Sequence, residues 1–236
     1  MNPSFIFEDD SLFILDKPAG WIVNEAKTTK GQKVIQTWLK KQSFDIAGSR
    51  EFRSGIVHRL DKETSGVLVV AKIESAFRNL QAQFKERKIE KEYVALVHGK
   101  LEPKKGKIKV PVGRLPWNRQ RFGVLPGGRF AETDYQVIEY YSKDKETYSL
   151  LKLFPKTGRT HQIRIHLKYL GYPVVADEFY AGRKTARADR IWCPRLFLHA
   201  EQISLEHPAS KKRVSYKSDL PEDLKKTLQG LTSTKE

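Results

Sequence analysis

Apolar positions in the first ninety residues fall into short blocks of two different periods. Residues 5–7 and 12–15 are apolar runs split by Glu8-Asp9-Asp10-Ser11, the pattern of two strands joined by a polar turn. Lys17-Pro18-Ala19-Gly20 then breaks the strand pattern. Across residues 31–42, Val34, Ile35, Trp38 and Leu39 recur at helical spacing and predict an amphipathic helix. Residues 66–72 (GVLVVAK) form a β-branched run that predicts a buried strand. The helical period returns over residues 74–87, with Phe77, Leu80 and Phe84 on one stripe.

Further strands are expected at residues 93–98, 107–112, 133–140, 147–154, 196–205 and 213–216. Residues 113–129 (GRLPWNRQRFGVLPGGR), rich in Gly, Pro and Arg, read as a surface loop. The segment from Thr160 suits a helix with Thr160 as its N-cap and Gly171 as its terminator. Ile163, His166, Leu167 and Leu170 share one face of it, and His161, Arg164 and Lys168 fall on the opposite stripe. A closing helix is expected over residues 220–228. Strands outnumber helices and do not alternate regularly with them. The fold class is therefore α+β: a mixed, largely antiparallel β-sheet flanked by helices. With no linker between its parts, the chain of 236 residues reads as one domain spanning 1–236.

Charge narrows the partners. The 44 Lys and Arg residues outweigh 28 Asp and Glu, a formal net charge of +16. Such an excess attracts polyanions, because each neutralised phosphate releases condensed counterions. Charge alone leaves DNA, RNA and other acidic partners open. No apolar stretch reaches the roughly 18–20 residues of a membrane helix, and the N-terminus lacks the pattern of a secretory signal. The single cysteine, Cys193, forms neither an internal disulfide nor a zinc framework. These features predict a cytoplasmic protein that does not span a membrane, and a monomer is the default expectation.

Two segments carry candidate chemistry. In residues 55–72, Asp61 sits in a polar cluster between Ile56-Val57 and the buried strand, and Gly66 lets the chain turn tightly into that strand. Asp61 equally suits the opening of an Asx-turn, so position alone leaves its role open. In the second segment Lys156, Arg159, His161 and Arg164 crowd the start of a helix, where backbone N–H groups attract anions. A solvated basic helix face is the alternative there. His161 and His166 are five apart and point to opposite faces, which is wrong for one metal ion, so no metal site is expected. Neither a phosphate-binding Gly-rich loop nor a dinucleotide fingerprint occurs, and no cofactor is implied.

Five segments in order resemble the RluA family of pseudouridine synthases. They are FIFEDDSLFILDKPAGWIV (5–23), HRLDKETSGVLVVAK (58–72), KEYVALVHG (91–99), PKTGRTHQIRIHLKYLGYPVVAD (155–177) and LFLHAEQISLEHP (196–208). The resemblance implies an enzyme that isomerises uridine to pseudouridine in structured ribosomal or transfer RNA, without metal or cofactor. It implies Asp61 as the catalytic aspartate, Tyr93 as the tyrosine that packs on the target base, and Arg164 as the basic partner of the catalytic carboxylate. Arg59 matches the arginine that fills the vacated stack when the uridine flips out, and Ile165 is expected to line the pocket. Arg87, Lys88, Lys91, Arg159 and His161 are the expected RNA contacts. A carboxylate nucleophile must be ionised; burial disfavours its charge and a close guanidinium restores it. Many members of the family carry an N-terminal S4 domain, and the expectation here is a catalytic domain without one. Residues 183–195 (RKTARADRIWCPR) are unusually basic and read as a specificity loop. The competing readings are a non-catalytic RNA-binding protein of the same fold and a basic DNA-binding protein.

Overall fold

The computed structural model describes residues 1–116 and 118–234, so Trp117 of the expected 113–129 loop lies outside the described residues. Its strands are β1 (Ser4–Glu8), β2 (Leu12–Lys17), β3 (Ser65–Ala71), β4 (Glu90–His98), β5 (Lys105–Lys109), β6 (Val112–Leu115), β7 (Asn118–Val124), β8 (Glu132–Lys143), β9 (Glu146–Pro155), β10 (Leu198–Glu206), β11 (Arg213–Lys217) and β12 (Thr232–Ser233). Its helices are α1 (Ile35–Leu39), α2 (Glu74–Lys85), α3 (Gln162–Tyr169), α4 (Arg183–Asp189) and α5 (Glu222–Gln229). The class is α+β with mostly antiparallel strand pairing, as the pattern predicts. The chain divides into two compact units, one of Met1–Lys91 with Ala200–Asp219, the other of Glu92–His199 with Leu220–Glu236.

In the first unit the strand order is β1-β2-β3-β10, with β11 on β10. β1 and β2 form the hairpin expected from the Glu8–Ser11 break, and β2 runs antiparallel to β3. Every residue of β3 is buried, which its unbroken run of Val and Leu demands. One side of these strands meets α2 through Phe77, Leu80 and Ala76, together with Leu12, Ile14, Val67 and Val69. The expected helix over 31–42 is shorter than its period suggests. Val34 is extended, and the backbone of residues 33–35 pairs with Ile22, so only Ile35–Leu39 coils. The β-branched Val34 suits that pairing better than a first helical turn.

Gly66 does something other than turn the chain. It lies within β3 at φ +115°, and a Cβ there would stand 2.1 Å from the Ala200 carbonyl oxygen. Close backbone approach is what requires glycine.

In the second unit the order is β4-β9-β8-β12, with β5 on the other stretch of β8. Leu96, Leu151, Leu153, Val174 and Phe197 form its core, under Ile163 and Leu167 of α3 and Leu224 of α5. The expected surface loop at 113–129 is instead largely a hairpin of β6 and β7. Val112, with Phe122 and Val124 packed beside it, lies on a small second core formed with Ala131, Ile165 and Tyr180. Two-residue alternation of these apolar groups outweighs the Gly and Pro content.

Candidate functional site

In the first unit Asp61 sits on the connection into β3, partly exposed, and its backbone carbonyl closes a turn by accepting the Thr64 N–H at 3.2 Å. That turn is tied down by an anchor that strand-and-turn reasoning passed over. The Lys17 ammonium is fully buried and donates to the carbonyls of Pro18 (3.0 Å), Trp21 (3.0 Å) and Lys62 (3.3 Å). The Lys62 carbonyl also accepts the Gly20 N–H at 2.8 Å. The 17–20 break is thus a clamp on the residue next to Asp61. Its only sequence signal is a lysine ending an apolar strand.

His58, three residues before Asp61, is committed elsewhere. Its Nε2 accepts the Val69 N–H at 2.9 Å, and its ring stacks on Phe84 with centroids 4.9 Å apart. Burial, with the charge of Lys91 adding to it, pulls the imidazole down to about 3, so it stays neutral and structural.

The expected RNA contacts of this unit are distributed. Arg59 and Arg87 are exposed. Arg87 closes α2 in the left-handed region at φ +61°, with Lys88 N–H bonded to the Gln83 carbonyl at 2.9 Å. This is a Schellman ending with arginine where glycine is usual. Lys88 is exposed and pairs with Glu86 at 2.6 Å, and Lys91 is partly exposed on β4.

In the second unit Tyr93 lies on β4 opposite Leu153 of β9, its ring half-buried against the main core. Arg164 lies in the first turn of α3 and is only 4% exposed, so the solvated-face alternative does not hold for this residue, although Lys168 on the same stripe is exposed. α3 is covered on two sides, by the main core at Ile163 and Leu167 and by the hairpin core at Ile165. The Arg164 guanidinium makes a two-pronged pair with Asp177, Nε to Oδ2 at 2.7 Å and Nη2 to Oδ1 at 2.8 Å. It also lies 5.0 Å from the Tyr180 ring centroid and 5.4 Å from that of Phe179. Asp177 Oδ1 in turn accepts the N–H groups of Phe179 (2.9 Å) and Tyr180 (3.1 Å). Fork-to-fork geometry of this kind fixes the plane of a guanidinium as well as its position.

Thr160 is not the N-cap of α3. That place belongs to His161, in the left-handed region at φ +54° and without a side-chain cap bond. The entry to the helix is held by Gln162 instead. Its Oε1 accepts from the Thr157 hydroxyl (2.7 Å) and the Arg159 N–H (3.0 Å), and its Nε2 donates to the Glu132 carbonyl and the Thr133 hydroxyl, both at 2.9 Å. The far end follows expectation: Gly171, at φ +90°, and Tyr172 close a Schellman motif on Lys168 and Leu167.

His161 Nδ1 lies 2.9 Å from the Tyr180 hydroxyl, and Arg159 Nε donates to the Phe130 carbonyl at 3.1 Å. Ile165 is buried in the hairpin core. His166 is fully buried, which lowers it to about 4. Among the described residues, no group of three or more His, Cys, Asp or Glu side chains could hold a metal ion. The basic 183–195 segment opens with helix α4 rather than a loop, because Ala186 and Asp189, three apart, are both buried.

Comparison with known proteins gives a consistent result. The family model described as RNA pseudouridylate synthase matches residues 11–169. An uncharacterized RNA pseudouridine synthase of Chloroflexus aurantiacus is 41% identical over 216 residues, covering 92% of this chain and 65% of that protein. The ribosomal large subunit pseudouridine synthase D of Nitrosomonas europaea is 40% identical over 230 residues, covering 96% of this chain and 64% of that protein. The chain thus spans just under two thirds of the length of these two relatives. Among solved structures, human RNA pseudouridylate synthase domain containing 1 superposes with a TM-score of 0.77 at 25% identity, over 99% of this chain and 89% of that one.

Proposed function

The chain belongs to the RNA pseudouridylate synthase family, and from that premise we propose that it isomerises specific uridines to pseudouridine in structured ribosomal or transfer RNA, with Asp61 as nucleophile. The observation that carries this reading is the family match over residues 11–169, which spans Asp61, Tyr93 and Arg164. The name of the Nitrosomonas europaea relative favours ribosomal RNA among the two substrates.

The reaction breaks the N1–C1′ bond, turns the uracil and joins it to the sugar through C5, after which the C5 proton leaves and N1 takes up a proton. It is an isomerisation, so electrons balance without an oxidant or a group donor. The Asp61 carboxylate attacks either C1′ of the sugar or C6 of the ring, and departs when the new glycosidic bond is complete. In this proposal Tyr93 offers a flat face to the target base and a hydroxyl for the C5 proton. Arg164 supplies the positive charge that keeps the nucleophile ionised, and Arg59 fills the stack that the flipped base leaves. Flipping costs about a few kcal/mol, which phosphate contacts from Arg87, Lys88, Lys91 and Arg159 offset, with His161 and Ile165 shaping the pocket. The whole chain acts as one catalytic domain.

Asp61→Asn tests the assignment. Loss of pseudouridine in ribosomal and transfer RNA with RNA affinity retained is the expected result. If the wild-type protein leaves uridines in total cellular RNA unchanged, the non-catalytic RNA-binding reading replaces it.

A further inference from the structure

In the second unit, the β7 strand, helix α4 and the Glu178–Phe179 segment line an open pocket of about 520 Å³. Arg121, Arg183, Arg187 and Arg190 line it against one acid, Glu178. That acid is engaged by Arg190, whose Nη2 lies 3.5 Å from it and whose guanidinium is further held by the Pro194 and Ala176 carbonyls. Arg183 and Arg187 are exposed and four apart on α4, so they share a face and repel each other. An anion in the pocket relieves that repulsion.

Phe179 makes the pocket more than an anion site. The residue is 43% exposed, with the Arg121 guanidinium 5.9 Å from its ring centroid. An exposed aromatic face beside several guanidinium groups is the chemistry that binds single-stranded nucleic acid, base on the ring and phosphate on the arginines. The volume lies within the range of about 300–1,000 Å³ that holds small organic groups such as a nucleotide. The same Phe179 ring lies 5.4 Å from the Arg164 guanidinium.

We propose that this pocket holds one unpaired nucleotide of the RNA substrate near the target uridine, its base stacked on Phe179 and its phosphates on Arg183 and Arg187. The nearness to the target rests on the isomerase reading, through Arg164; the binding itself does not.

The test uses the full chain and a fluorescein-labelled RNA stem-loop with an unpaired uridine-containing loop, titrated by anisotropy across potassium chloride concentrations. Arg183→Ala/Arg187→Ala is expected to weaken binding about tenfold or more and to flatten the salt dependence by about 1–1.5 units of slope, at about 0.7 per single-strand phosphate. Phe179→Leu keeps an apolar side chain and is expected to weaken binding about fivefold or more with the salt slope unchanged. On a fully paired duplex of the same sequence Phe179→Leu is expected to change nothing. Wild-type affinity and slope in the double-arginine variant overturn the proposal. An equal Phe179→Leu loss on the duplex overturns the assignment to an unpaired nucleotide. Unchanged thermal midpoints exclude misfolding as the cause. Failure of the wild-type protein to form pseudouridine would defeat the isomerase reading while leaving these binding results to stand or fall separately.

Discussion

Asp177→Asn changes almost no volume, yet it removes the charge from a carboxylate that receives four hydrogen bonds. Two come from Arg164 at 2.7 and 2.8 Å, and two from the Phe179 and Tyr180 backbone at 2.9 and 3.1 Å. Asparagine offers one acceptor oxygen. With that oxygen in the place of Oδ1, the amide NH2 meets the Nε–H of Arg164; turned round, it meets three donors. At least one charge-assisted bond, worth about 1.5–3 kcal/mol, is therefore lost. Arg164 also loses its Asp177 counter-charge where its side chain is only 5% exposed. Breaking a buried pair by neutralising one partner costs about 3–5 kcal/mol. For a chain of this length that lowers the thermal midpoint by about 6–20 °C. Urea unfolding followed by circular dichroism measures the loss, and single-turnover pseudouridine formation at a temperature where the variant is folded measures the effect on chemistry. A stability change below about 1 kcal/mol refutes the reasoning, since the pair would then be replaceable at no cost.

His166 makes the protein acid-sensitive. Burial lowers it to about 4 from 6.5, so between those values the unfolded chain binds the proton and the folded chain does not. Stability is full above about pH 6.5 and falls as pH drops toward 4, by up to about 3 kcal/mol. His58 acts in the same direction. Chemical denaturation at pH 7.5 and 4.5 checks this, and an undiminished acid loss in His166→Leu contradicts it. Gly66→Ala drives a Cβ onto the Ala200 carbonyl at a positive φ and is expected to cost about 3 kcal/mol or more, read as a lowered urea midpoint or insoluble expression. An unchanged midpoint would show that the backbones can separate freely. Lys17→Met leaves carbonyls of Pro18, Trp21 and Lys62 short of a donor, at about 1–3 kcal/mol for each one left unsatisfied. Amide exchange at residues 62–64 should accelerate, and unchanged protection there would show that the turn does not depend on this clamp.

Period and composition found the elements whose burial is simple. The all-apolar β3 and the striped α2 are legible because a single partner surface decides each of them. The failures share a cause in tertiary contact. Residues 113–129 carry enough Gly, Pro and Arg to look like a loop, and only the small core of Val112, Ala131, Ile165 and Tyr180 explains why the segment pairs with itself. α1 is cut short because the Ile22 backbone captures residues 33–35. A propensity summed along the chain cannot anticipate either event.

The polar framework was the least legible part, and the reason lies in how buried charge is tolerated. A fully buried lysine, or an arginine with a 5% exposed side chain, survives only where several acceptors converge on it. Those acceptors come from separate stretches of chain: Lys17 from its own strand end and from Lys62, Arg164 from Asp177 thirteen residues on, Gln162 from Glu132 and Thr133. Periodicity assigned Arg164 to a polar stripe because it counts residues on one helix and ignores what covers them. The family resemblance singled out Asp61, Tyr93 and Arg164, but gave no roles to Lys17, Gln162 and Asp177, which touch these segments through backbone or charge. Their burial sets them apart from the surface lysines that produce the net charge of +16. Exposed cations strengthen RNA affinity in a salt-dependent way, whereas the buried ones fix the positions of the residues proposed to do the chemistry. Substituting the first group should therefore alter the salt slope of binding, and substituting the second should alter stability and turnover with little change in that slope.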